Sequence, residues 1–347
     1  MRLFHNDYNA MCHSAVLKKI NAASDQSMGG YGEDPCCQRA AARIRELCGR
    51  EDLFVHFLVG GTQTNLTVID AALRPHQAAI CAATGHIHVH ETGAIEATGH
   101  KVVGLPHRDG KITAQQVLEA YTAHWQDVSH EHIPQPKLVY ISNSTELGTI
   151  YTLAELKQLR EVCDQCKMYL FVDGARLGYA LAAKDNDVTL KDLAQLADVF
   201  YIGGTKVGAM FGEAVVISRP EIAEDFRYLI KQHGGMLAKG WLLGLQFEAL
   251  LEDDLYLRIA SHADQMADRI RSTLKTLDCP LLVPGETNQI FPILPDSVLE
   301  QLSKEFTFSE QERVDESHRA VRFCTSWATK QADVDALCDA LKKLLQR

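Results

Sequence analysis

The sequence predicts an α/β fold: a large domain on a mostly parallel sheet flanked by helices, followed by a smaller C-terminal α+β domain. Three observations carry this expectation. Short apolar runs recur every ~20–40 residues with helical segments between them, the rhythm of a parallel sheet. After Ser218 the texture changes to a long helical stretch and then to mixed short strands and helices. The chain has 347 residues, 46% of them hydrophobic, which is ample for one large core and a second, smaller one.

The elements follow in order. "RAAARIRELCG" reads as a helix closed by Gly49, a residue suited to a left-handed C-terminal cap. "DLFVHFLV" is a strand that runs into "GGTQTN", and "NLTVIDAALR" is the helix that follows. "AAICAA" is a strand; the second half of "TGHIHVHETGAIEATG" is helical, and its first half is a strand or an irregular loop. Then come strand "HKVVGLP", helix "TAQQVLEAYTAHW" and strand "KLVYISN". Thr152 or the turn before it caps helix "TLAELKQLREVCDQC". "MYLFVDGA", "DVFYIGG" and "GEAVVIS" are strands, with the short helix "TLKDLAQLA" among them. Beyond them a bent or broken helical stretch leads to "NQIFPIL", "FTFSEQ", "HRAVRFCTSW" and a terminal helix. The division expected is an N-terminal segment (1–20), a large domain (21–240) and a small domain (241–347).

Composition excludes several classes. The net charge is −10 and no strongly basic run occurs, which disfavours nucleic acid and anionic membranes. No window reaches about 18 uninterrupted apolar residues, so no membrane span is expected. The N-terminus lacks an apolar leader, and ten cysteines at irregular spacings read as reduced thiols, so a cytoplasmic location is expected. Cys163 and Cys166 lie one helical turn apart and read as packing residues; "HIHVH" lacks a complete ligand set, and no metal is expected.

In open parallel sheets the ligand lies beyond the C-terminal strand ends. The residues there are Gly60 to Asn65, Gly85 and His86, Asn143 to Glu146, Asp173 to Arg176, and Gly203 to Lys206. Glycines before a helix offer backbone N–H groups to an anion, though a plain strand-to-helix turn looks the same. Asp173 is either a turn residue or a carboxylate for a pyridinium nitrogen; Arg176 could grip a carboxylate bidentately. Lys206 is either a surface lysine or a desolvated amine able to form an imine. His86 is either structural or stacked on an aromatic cofactor ring.

"GYGEDP", "GGTQTN", "GHIHVHETGAIE", "VDGARL" and "GGTKVG" occur in that order. Together they resemble the threonine aldolases of the β-eliminating lyase family, which use pyridoxal 5'-phosphate (PLP) on the aspartate-aminotransferase-like fold. "SNSTELGTIY" and "RFCTSWAT" resemble the subgroup that includes phenylserine aldolase. The resemblance implies that Lys206 forms the imine with PLP, that Asp173 pairs with the pyridine nitrogen, and that His86 stacks on the ring and is a candidate for proton transfer. Gly61, Thr62 and Gln63 would bind the phosphate. Arg176 would lie by the ring and the substrate; Arg322 would bind the substrate carboxylate, with Asn6 and Asp7 nearby. Tyr31 would reach a neighbouring subunit's site in a homodimer or homotetramer.

Two positions depart from the family pattern. A histidine that many members place near the substrate hydroxyl is Thr145 here, followed by Glu146. An arginine that supports the phosphate is Leu237, with Lys239 two residues on. The implied reaction is retro-aldol cleavage of L-β-hydroxy-α-amino acids to glycine and an aldehyde, with His86, a water or Glu146 as base for the β-hydroxyl. The alternatives are β-elimination from an amino acid, or a non-catalytic PLP-binding protein of this fold.

Overall fold

The computed structural model describes residues 1–346. The chain opens with the two-residue strand β1 (Arg2–Leu3). Seven strands then build the main sheet: β2 (Phe54–Leu58), β3 (Gln77–Ala82), β4 (Lys101–Leu105), β5 (Gln135–Ser142), β6 (Tyr169–Asp173), β7 (Val199–Gly203) and β8 (Glu213–Ile217). Their order is β2-β8-β7-β6-β5-β3-β4. All neighbours run parallel except β8, which is antiparallel to both β2 and β7. Every residue of β3, β7 and β8 is buried, as a sheet covered on both faces requires. One face packs Ile80, Val139, Val172 and Phe200 against helices; the other packs Tyr140, Phe171, Tyr201 and Val215.

Local chemistry sets the helix ends. Thr152 accepts the Glu155 amide and Glu155 returns the bond, a reciprocal cap repeated at Thr113/Gln116 and Thr189/Asp192. Gly49 closes its helix in the left-handed conformation. The helix expected from Asn65 begins earlier, spanning Gly61–Ala72, because extended Gly60 turns the chain directly into it. The first half of "TGHIHVHETGAIEATG" is neither strand nor irregular loop: His86–Val89 form a single helical turn after Gly85, and Ala94–Ala97 form a second.

The small domain pairs β9 (Gln289–Ile290), β10 (Ile293–Pro295), β12 (Ser309–Arg313) and β13 (His318–Cys324) antiparallel around β13. β11 (Phe306–Thr307) runs parallel to β1, so the N-terminus is stitched to this domain and Phe4 enters its core. The helical stretch after residue 240 breaks at Asp253 and Asp254, both at positive φ. Packing changes hands later than the expected division at 240. Phe247 and Leu250 of helix Trp241–Leu251 and Tyr256 and Ile259 of helix Leu255–Thr276 pack into the large-domain core, while Met266, Ile270 and Leu274 of the latter helix pack into the small one. Among the described residues no helix is long and apolar enough to cross a membrane.

At the junction stands Asp264, buried, with both carboxylate oxygens unpartnered. Burial, reinforced by Asp268 and opposed by Arg271, raises its pKa to about 9. The folded chain therefore holds a proton there that the unfolded chain releases near pH 4, so this site lowers stability as pH rises from about 4 to 9. Asp264→Asn should raise the melting temperature at pH 8 and lose that advantage towards pH 4, measured by thermal unfolding across pH.

Candidate active site

The C-terminal ends of β5, β6 and β7 open on a cavity of ≈ 290 Å³. Its walls carry Gly60, Gly61, Thr62 and Asn65 from the helix start, His86, then Ser142, Ser144 and Glu146 after β5. Asp173 and Arg176 after β6, Lys206 after β7, and Glu213 at the head of β8 complete it. The strand ends meet closely: the Gly203 amide donates to the Gly174 carbonyl at 2.9 Å. A Cβ on Gly174 would lie 1.7 Å from the Tyr201 carbonyl oxygen, so only glycine permits this approach. It is what lets Asp173 and Lys206 face one space.

Asp173 is buried and densely held. Its Oδ1 accepts the Ala175 amide (2.9 Å); its Oδ2 accepts the Tyr140 hydroxyl (2.5 Å) and the Asn65 side-chain amide (3.1 Å). Burial opposes ionisation here, but His86 and the Tyr140 hydrogen bond outweigh it and lower the pKa. The Lys206 pKa is lowered too, which for an amine favours the neutral form: burial and the nearby Arg176 lower it, while Asp7, Asp173 and Glu213 hold part of it back. The turn that carries it is fixed by the Gly204 and Thr205 amides, which donate to the Gly212 carbonyl (3.0 and 3.1 Å). Helix Gly61–Ala72 has no side-chain cap, so its first amides are available to an anion in the cavity.

Arg176 lines the cavity but already grips a carboxylate. Its Nε and Nη2 donate to Asp7 (2.7 and 3.0 Å), which also accepts the Asn288 side-chain amide (2.9 Å). The bidentate partner anticipated for Arg176 is thus Asp7, and Asp7 stands behind the cavity wall. Asn6 caps the Tyr8 amide at 3.0 Å; Tyr8, absent from the expected set, lines the cavity.

Other expected residues lie elsewhere. Thr145 faces away: its hydroxyl meets Thr149 Oγ1 at 2.7 Å and accepts the Leu147 and Thr149 amides, so Ser144 and Glu146 line the cavity in its place. The tight turn at Gly148 dictates that direction, which residue spacing could not reveal. The Gln63 side chain bridges the Val59 amide and the His233 carbonyl (3.2 and 3.0 Å), leaving only its backbone for an anion. Lys239 is exposed outside the lining, and Tyr31 lines a separate cavity. Arg322 also lies outside the lining; its Nη1 donates to Gln289 (3.2 Å), its Nη2 to the His5 carbonyl (3.0 Å), and its Nε is buried without a partner. Asn65, Tyr140, Tyr201, Glu91 and Glu213 were not singled out as site residues. Asn65 does fall one helical turn after Gly61, a spacing that could have found it.

Two nested classes emerge from comparison with known proteins. The fold is that of the aspartate aminotransferases: the chain superposes on the Thermus thermophilus enzyme with a TM-score of 0.74 over 99% of this chain and 91% of that one, at 14% identity. Within that fold the chain belongs to the beta-eliminating lyase family, whose sequence profile matches residues 9–296. It is 30% identical to a low specificity L-threonine aldolase of Pseudomonas sp. (strain NCIMB 10558), covering 98% of this chain and 96% of that one. It is 44% identical to the threonine aldolase of Leishmania major, with a TM-score of 0.97 over 99% of this chain and 100% of that one.

The Asp7–Arg176 pair holds the Asp7 pKa at about 2: burial opposes, and Arg176 prevails. A depressed carboxylate contributes stability above its unfolded value near pH 3.9 and loses it as pH falls towards 2. Asp7→Ala, which strands the buried guanidinium, should cost about 3–5 kcal/mol at pH 7 in urea unfolding, a deficit that shrinks below pH 4.

Proposed function

We propose that this chain is a PLP-dependent aldehyde-lyase that cleaves L-β-hydroxy-α-amino acids of the threonine, allo-threonine or phenylserine type to glycine and an aldehyde. The observation that carries the reading is a desolvated lysine and an ionised aspartate on the walls of one cavity, beside an uncapped helix start. The relatives named above support the reaction.

The residues fit the cofactor. A Cβ at Gly60 would meet nothing within 4 Å, so the glycine turn forms a cradle with free amides for a phosphate. The Tyr201 hydroxyl is buried in the wall beside Asp173. Lys206 would hold the aldehyde carbon, Asp173 the proton on the ring nitrogen, and the backbone of Gly61, Thr62 and Gln63 the phosphate. When bound, PLP supplies a protonated ring that accepts the electron pair of the broken bond.

The chain's own groups do the rest. Burial and Arg176 lower the Lys206 pKa and so favour the neutral amine, the form that condenses with an aldehyde to an imine as water leaves. Arg322, with a buried unpartnered Nε, is the group we assign to the substrate carboxylate, with Asn6 nearby. His86 lines the cavity, and we assign it to stack on the ring and accept the β-hydroxyl proton. Tyr31 faces a different cavity from Lys206, so its expected part in a site requires a second copy of the chain, as in a homodimer or homotetramer.

The test is a panel of β-hydroxy amino acids assayed for aldehyde release, with absorbance spectra before and after borohydride. Lys206→Ala should lose the imine absorbance band and lower turnover by at least about 10³-fold. Retention of both would overturn the reading. Pyruvate release from serine or cysteine, without aldehyde from the panel, would favour β-elimination.

A further inference from the structure

Glu91 has no part in the reaction as described above, yet it is built into the site. Its side chain is fully buried. Its Oε1 lies 2.7 Å from His86 Nδ1 and accepts the Asn65 side-chain amide at 2.7 Å. The same Asn65 nitrogen donates to Asp173 Oδ2 at 3.1 Å. One amide thus ties two carboxylates together, one behind the histidine and one expected at the cofactor ring. Because Oε1 already receives the Asn65 N–H, it is an acceptor atom, and the proton between Glu91 and His86 sits on Nδ1. Among the described residues Nε2 has no partner, and it is the ring nitrogen left for the cavity.

We propose that Glu91 is the positioning residue that makes His86 the base of the reaction. The inference rests on the retro-aldol reading above. By holding the Nδ1–H tautomer, Glu91 leaves the Nε2 lone pair free, and its charge stabilises the imidazolium that forms. In the step, the β-hydroxyl O–H bond breaks and its proton passes to Nε2. The O–H electron pair becomes the C=O bond of the aldehyde as the Cα–Cβ bond opens; bound PLP would supply the acceptor for the pair of that bond. Glu146 is otherwise engaged: its Oε1 accepts the His86 backbone amide (2.9 Å) and the Ser142 hydroxyl (2.6 Å).

Several charged groups face His86. Glu91 and Asp173 favour the imidazolium. The His90 ring, 5.7 Å away between centroids, opposes it when protonated, as do Lys206 and Arg176 across the cavity. Burial, then His86 itself and Arg322 from the small domain, lower the His90 pKa and favour the neutral ring. Glu146 lies against the His86 backbone.

The test uses the holoenzyme and Glu91→Gln, which keeps size and an acceptor while removing the charge. The pH profile of kcat/KM for aldehyde release is measured for both. Activity of the wild type should fall as pH drops and Nε2 takes a proton. In Glu91→Gln the plateau should fall by about tenfold or more, with KM little changed, and the acid limb should move by roughly one unit to lower pH. An acid limb that stays in place, or an unchanged plateau, overturns the proposal. The second readout needs no turnover: ¹⁵N spectra of the apoprotein, with His86→Gln to identify the signal. His86 should be the neutral Nδ1–H tautomer; a neutral Nε2–H tautomer overturns the proposal even if Glu91→Gln fails to fold. Failure of the parent reading looks different, since the wild type would then release no aldehyde at any pH.

Discussion

Everything at this site depends on one close approach of backbone, where the end of β6 meets the end of β7. Two parallel strands do not ordinarily bring their following loops into contact. Here Gly174 and Gly203 remove the side chains that would keep them apart, and an amide-to-carbonyl bond fixes the contact. The consequence is electrostatic. Asp173 ends one strand and Lys206 follows the other, so the only way for the chain to bury the amine is to bury it facing a carboxylate. Neither group is neutralised by direct pairing, and the space between them is left for a ligand.

The large-scale architecture was legible because strands covered on both faces have nowhere to put polar groups except at their ends. That is why the run before Asp173 and the run before Lys206 pointed to one edge, and why the Thr152 cap and Gly49 terminus could be read directly. Side-chain direction in irregular turns was not legible. The family resemblance puts Thr145 near the substrate hydroxyl, but the turn through Gly148 rotates it towards Thr149 and presents its two neighbours instead. Arg176 was expected to be free for a carboxylate; the Asp7 that occupies it is 169 residues away in sequence, and no local pattern encodes such a pairing. Glu91 escaped for the same reason: its partner Asn65 lies 26 residues away, and the pair matters only through His86 and Asp173. The packing boundary inside helix Leu255–Thr276 was hidden because one continuous amphipathic helix serves two cores.

The carboxylates around the cavity explain how it stays ready for an anion. Arg176 is a permanent cation of the wall and Asp7 already balances it, while burial and Arg176 disfavour the charge on Lys206. Asp173, Glu91, Glu146 and Glu213 cannot all carry full charge against one remaining ammonium and a phosphate as well. The structure resolves this by unequal solvation. Asp173 receives an amide, a hydroxyl and a side-chain N–H, and its pKa falls. Burial dominates for Glu146 and Glu213 and raises both, Glu213 to about 7. Carboxylic acids of opposite shift in one site separate the group that holds a charge from those that can carry a proton. In the proposed function a phosphate would be met by neutral amides and a helix dipole rather than by an arginine, which suits that arrangement: it would add anionic charge without calling for a cation that Glu213 or Asp173 would compete for.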